Sequence, residues 1–141
     1  DFRFASEHAL FDLSEVIRGI LPGNGGTQRT IRQLPFPIAM EVLLLGRRLT
    51  AERAAHYGLI NEVVEHDKVH ETAMERAEEL AAMPPLAVRA IKELSVRAQY
   101  MPLGDGLRLE SAMQARLGFT EDAKEGPRAF AEKRKPEFKG R

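Results

Sequence analysis

The apolar residues of this chain change their spacing near residue 66, and that change limits the folds open to it. Before it, short alternating or β-branched runs are interleaved with helical stretches. After it, apolar residues recur only at helical spacing. The pattern predicts an α/β portion over residues 1–65 and a helical region over 66–141. Asp1 to Ser6 alternates like a strand, and Ile17 to Leu21 is a second strand-like apolar stretch. Thr27 to Leu34 reads as a short helix stopped by Pro35 and Pro37, and Ile38 to Leu45 as a helix ending at Gly46. Thr50 is placed to cap a helix through Ala51, Ala54 and Ala55, and Leu59 to Val64 reads as the last strand. Helices are then predicted over 68–83, 86–100, 106–117 and 120–126, with a last one from Pro127 to about Arg134.

At 141 residues the chain fits one domain and can bury roughly two-thirds of its unfolded surface. A net charge of zero and a pI near 7.1 argue against a dedicated nucleic-acid binder. With no cysteine, disulfides, thiolate metal sites and cysteine nucleophiles are excluded. That composition fits a cytoplasmic setting. No apolar run reaches the ~20 residues that span a bilayer, so no membrane partner is expected.

The stretch Gly19-Ile20-Leu21-Pro22-Gly23-Asn24-Gly25-Gly26-Thr27-Gln28-Arg29 carries the densest chemical signal. Glycines there let the backbone turn sharply and approach a ligand without a Cβ in the way. The first amides of the following helix, near Gly25 to Gln28, lack intrahelical acceptors and face outward as donors. Glu15 lies just upstream, among Leu13, Val16 and Ile17. An acid beside free N–H donors can hold and activate water or a carbonyl compound. The same residues also suit a plain helix entry with a surface acid as its cap. A nucleotide fingerprint fails, because Gln28 stands where a third glycine is needed and no Gly-Lys-Ser/Thr follows any glycine run. His66 and His70 have helical spacing but no third ligand, so solvated histidines are the expectation and no metal is assigned. Lys133-Arg134-Lys135, with Lys139 and Arg141, forms a basic cluster that suits a solvated helix end.

The run Phe11-Asp12-Leu13-Ser14-Glu15-Val16-Ile17-Arg18-Gly19 through Pro22-Gly23-Asn24-Gly25-Gly26-Thr27-Gln28-Arg29 resembles the signature of the crotonase superfamily, the enoyl-CoA hydratases and isomerases. Leu43 to Glu52, Ala54 to Val64, Pro84 to Val88, Thr120 to Gly126, Phe130 to Pro136 and Phe138 to Gly140 match in the family's order. The resemblance runs the whole chain but corresponds to the C-terminal half of such a protein. It implies a crotonase-like α/β fold, the end of the spiral ββα core followed by a helical trimerisation region.

What it implies for chemistry is specific. Glu15 matches the second of two acid/base glutamates, and the Gly23 amide helps hold the catalytic water. Leu13, Pro22 and Asn24 border the substrate, although Asn24 stands where a small residue is common. Lys133 matches a lysine that contributes to binding the CoA nucleotide. An aromatic that stacks near the adenine in some members is replaced by Gln114. The first glutamate and the first oxyanion-hole amide are expected upstream of Asp1, in a missing N-terminal portion. The implied activity is hydration of a 2,3-enoyl-CoA thioester without a separate cofactor, in a homotrimer or hexamer. Two alternatives stay open: a Δ3,Δ2-enoyl-CoA isomerase or other crotonase-type enzyme, and a non-catalytic oligomerisation fragment.

Overall fold

The alternation around Phe2-Arg3-Phe4 resolves into strand β1, Phe4–Ser6, in a computed structural model that describes residues 1–141. β1 pairs in parallel with β4, Glu62–Val64, in the register Phe4 with Glu62 and Ser6 with Val64. Between them lie β2, Leu10–Phe11, and β3, Leu49–Thr50, paired antiparallel. Three helices fill the same span: α1, Gly26–Gln33; α2, Phe36–Leu45; and α3, Ala51–His56. Four helices follow, α4, Val69–Ala81; α5, Pro85–Ala98; α6, Leu103–Leu117; and α7, Glu121–Ala131, and then a non-helical tail. The chain forms two compact units, Asp1–Arg76 and Ala77–Arg141, with the boundary inside α4. No helix is long and apolar enough to cross a membrane.

Local chemistry explains most of these boundaries. Pro37 sits in the first turn of α2, where its missing N–H has no intrahelical role, so the helix begins at Phe36. It ends at Gly46, whose φ of +59° is the left-handed conformation of a C-cap. The Thr50 hydroxyl accepts the Arg53 N–H at 3.3 Å and starts α3.

Two expected elements differ in type or continuity. Ile17 to Leu21 is not a strand: its first two residues end a 3₁₀ turn over Glu15–Arg18, and 19–21 are irregular, in the short link between β2 and the glycine turn. The expected break at Gly126 is absent, and α7 runs through Pro127. A proline normally pushes its predecessor out of the helix by clashing with that residue's N–H and Cβ. Gly126 lacks the Cβ, which removes part of that clash.

In the first unit the core has two clusters. Leu34, Ala39, Val42 and Leu49 form one, and Ala5, Ala54 and Ile60 the other. Phe11 and Leu59 pack against both.

In the second unit α5 packs on α6, and the segment after α7 folds back onto the start of that helix. Asp122, 5% exposed, accepts the Lys139 N–H at 2.7 Å and the Gly140 N–H at 2.9 Å, one on each carboxylate oxygen. The Arg141 carbonyl accepts the Glu121 N–H at 2.7 Å, using a donor the helix leaves free. Farther along, Arg134 grips both oxygens of Glu125, and the Glu137 N–H adds a third bond at 3.0 Å. The Arg134 hydrogen bonds and that amide hold the Glu125 carboxyl at about 2.

Candidate active site

Antiparallel pairing of β2 with β3 sets the approach to Glu15. Phe11 lies opposite Leu49, which is 1% exposed, and just beyond the pair Arg48 Nε donates to Asp12 Oδ2 at 2.9 Å. The chain passes Leu13, packed against the Leu34 cluster, and enters the 3₁₀ turn Glu15–Arg18. Gly19 closes that turn at φ +76°, with its N–H donating to the Val16 carbonyl at 3.0 Å. Ile17 packs its tip on Gly46: a Cβ there would stand 2.8 Å from Ile17 Cδ1.

Within this frame Glu15 Oε2 is buried and has no hydrogen-bond partner. A buried oxygen left unbonded costs free energy, so such atoms are rare and call for an explanation. A substrate or water that bonds to this oxygen supplies one.

The glycine turn follows. Asn24 at φ +52° and Gly25 at φ +88° are both left-handed, and the Gly26 N–H donates to the Gly23 carbonyl at 3.0 Å. This is a type I′ turn, and Asn-Gly is its preferred central pair. Asn24 thus owes its place to turn geometry. Its carbonyl accepts Arg29 Nη1 at 3.2 Å. The Gly26 amide is used inside the turn, so helix geometry leaves Thr27 and Gln28 as the outward donors of α1. Both line an open groove of about 620 Å³, whose other walls include Ile20, Leu21, Ile31, Phe36 and Leu44.

The glycines differ in what requires them. Gly25 needs its positive φ, and a Cβ there would lie 3.3 Å from the Arg29 guanidinium carbon. Gly26 has no Cβ space, because Pro22 Cβ would be 2.8 Å away. Gly23 has ordinary φ and nothing within 4 Å of its Cβ position. Nothing within the chain demands glycine at 23, and an open backbone there suits close approach by a ligand.

Of the residues singled out in the sequence, Leu13, Glu15, Pro22, Gly23 and Asn24 all fall in the first unit. Leu13 joins the acid's segment to the turn: its Cδ1 is 3.5 Å from the same Gly26 Cβ position that Pro22 crowds. Lys133 belongs to the second unit. It is exposed, and it is left-handed at φ +55°. Its N–H donates to the Phe130 carbonyl at 3.2 Å, and the Arg134 N–H to the Ala129 carbonyl at 3.0 Å. That pair of bonds is a Schellman cap, with lysine where glycine is usual. Sequence reading missed β2, β3 and this cap. The Asn24-Gly25 pair was a legible signal for the turn type.

Comparison with known proteins gives concordant matches. The profile of the enoyl-CoA hydratase/isomerase family matches residues 1–141. Enoyl-CoA hydratase EchA19 of Mycobacterium tuberculosis is 39% identical over 141 residues, covering 100% of this chain and 53% of that protein. The (E)-benzylidenesuccinyl-CoA hydratase of Thauera aromatica is 41% identical, covering 99% of this chain and 55% of that protein. The chain thus spans about half the length of these curated relatives. A crystal structure of an enoyl-CoA hydratase from Bacillus anthracis superposes with a TM-score of 0.95 at 40% identity, over 100% of this chain and 55% of that one.

Proposed function

The chain belongs to the enoyl-CoA hydratase/isomerase family and has its α/β, crotonase-like fold, and from that premise we propose that the whole protein is an enoyl-CoA hydratase. The observation that carries this reading is the buried, unpartnered Oε2 of Glu15 on the segment that Leu13 joins to the glycine turn. Hydration needs a base to take a proton from water as its oxygen bonds to C3, and an acid to deliver a proton to C2. The atoms of one water are then added across the double bond. Glu15 is one of the two carboxylates. The other, with the donors that receive the thioester oxygen, is assigned to the part of the relatives' length that residues 1–141 do not span.

The remaining residues take supporting roles. The Gly23 amide holds the water, and its unobstructed backbone supports that role. Leu13, Pro22 and Asn24 border the acyl group. No cofactor is called for, because the thioester carbonyl accepts the developing charge and CoA arrives as part of the substrate. Exposed Ile91 and Val96 on α5, Leu103 and Leu107 on α6, and Tyr100 in the link between them support assembly into a trimer or hexamer. A cytoplasmic setting completes the reading.

The test is to incubate the full-length protein separately with a 2-enoyl-CoA and a 3-enoyl-CoA and follow product mass. A gain of one water on the 2-enoyl substrate supports hydratase. Double-bond migration at constant mass, without hydration, moves the assignment to isomerase. Turnover of neither leaves the chain a structural component.

Lys133 offers an independent check. A left-handed lysine costs about 1 kcal/mol relative to glycine, and a solvated helix end alone gives no reason to retain it. In the full-length protein, Lys133→Gly should raise stability by up to about 1 kcal/mol. KM for a CoA thioester should rise several-fold, with kcat little changed. Thermal melts and steady-state kinetics on one preparation check both. An unchanged KM would remove Lys133 from CoA binding.

A further inference from the structure

We infer that Gly26 is a positioning residue, setting the place of the Gly23 amide through contact with Pro22. The inference rests on the role proposed above for Gly23 and adds the residue that holds it in register.

Gly26 begins α1, and its φ is not left-handed. Backbone conformation therefore gives no reason for glycine, and helix propensity favours alanine. Space gives the reason. A Cβ on Gly26 would lie 2.8 Å from Pro22 Cβ and 3.5 Å from Pro22 Cγ, closer at the first atom than real Cβ contacts come.

How such a contact is relieved decides its consequence. At Gly46 the crowding atom is the tip of Ile17, and a side-chain rotation clears it. Pro22 has no such escape. Its Cβ belongs to a ring closed onto its own backbone nitrogen, and the residue is buried. Leu13 Cδ1 meets the same point at an ordinary 3.5 Å, and a shift of α1 instead would carry the Gly26 N–H and its bond to the Gly23 carbonyl with it. The added methyl is accommodated by moving the Pro22 backbone, and Gly23 is the next residue. Gly23 is also tied to Gly26 directly, by the 3.0 Å bond from the Gly26 N–H to its carbonyl. A displacement at Pro22 therefore reorients the peptide whose N–H is assigned to the water. Misplacement by about 1 Å at a reacting centre can cost up to about 10²-fold in rate.

The experiment is a double-mutant cycle in the full-length protein, using Gly26→Ala and Pro22→Gly, the second removing the contacted Cβ. Two readouts are taken: steady-state hydration of a 2-enoyl-CoA, and the Gly23 amide resonance after glycine-selective ¹⁵N labelling. In the native background Gly26→Ala should lower kcat about tenfold or more, with KM within about twofold, and move the Gly23 resonance. In the Pro22→Gly background the same substitution should change kcat by less than about threefold and leave the resonance near its place. Equal losses in both backgrounds would overturn the inference, as would an unmoved Gly23 resonance in folded Gly26→Ala. If Gly26→Ala does not fold, recovery of folding in the double variant supports the contact, and failure to recover counts against it. If the unaltered protein hydrates no enoyl-CoA, the role of Gly23 falls, while the resonance still decides whether Gly26 sets its position.

Discussion

Glu15→Gln in the full-length protein should lower kcat for 2-enoyl-CoA hydration by about 10²–10⁴-fold, the usual contribution of a positioned acid or base. KM should stay within about threefold, since the amide keeps the shape of the carboxyl but neither accepts nor delivers the proton. Stability should change by less than about 1 kcal/mol, for a reason visible in the structure. Oε2 has no partner to lose, and the amide fills the same space as the carboxyl. A structural cap would behave in the opposite way, with activity kept and the melting temperature reduced. Glu15→Asp separates position from chemistry: it retains a carboxylate but withdraws it by one methylene, and should recover only part of the rate. Kinetics and thermal melts on the three proteins decide the matter, and full activity in Glu15→Gln would end the assignment.

The second large effect concerns Asp122. Asp122→Ala removes two hydrogen bonds to a buried carboxylate at once, at 2.7 and 2.9 Å. Bonds to charged groups contribute about 1.5–3 kcal/mol each, and the carboxylate also complements the start of α7. Some of the loss is recovered when the released amides meet water, so destabilisation of about 3 kcal/mol is expected. The local signature is sharper than the global one. Hydrogen exchange at the Lys139 and Gly140 amides should accelerate far more than exchange in α5. Asp122→Asn should be intermediate, because one oxygen remains while the new NH₂ faces a donor. If the two amides exchange as slowly in Asp122→Ala as in the unaltered protein, the tail is held by something else.

How much of this was legible in the sequence depends on where each element gets its energy. Helices such as α3 announced themselves because the Thr50 cap and the alanine face are local. Gly46 marked the end of α2 for the same reason. β2 and β3 did not, since each is two residues long and exists only through pairing with a segment far along the chain. Ile17 to Leu21 looked like a strand because its apolar run suits a strand as well as the 3₁₀ turn and irregular link it enters. Gly126-Pro127 suggested a break because propensity rules treat the two separately, although the missing Cβ of Gly126 relieves part of the clash that Pro127 brings. Glu15 and the glycine turn were visible as residue types, and the role of Glu15 came from family resemblance. Its unbonded oxygen, the lack of room for a Cβ at Gly26 and the left-handed Lys133 required coordinates, because no local pattern encodes an unpaired atom or a collision.

The parallel pairing of β1 with β4 has a consequence for how the protein is made. Its flanking bond, from the Arg3 N–H to Asn61 Oδ1 at 2.7 Å, joins residues 58 apart in sequence. Every proposed acyl-end residue lies inside the loop closed there. A ribosome delivers β1 first, and its partner only after the whole loop has emerged. Until Val64 is free of the exit tunnel, β1 lacks the strand it pairs with here and the loop that holds Glu15 is not closed. Closing so long a loop is slow compared with forming helices. During synthesis the helices of this unit therefore wait for its strands.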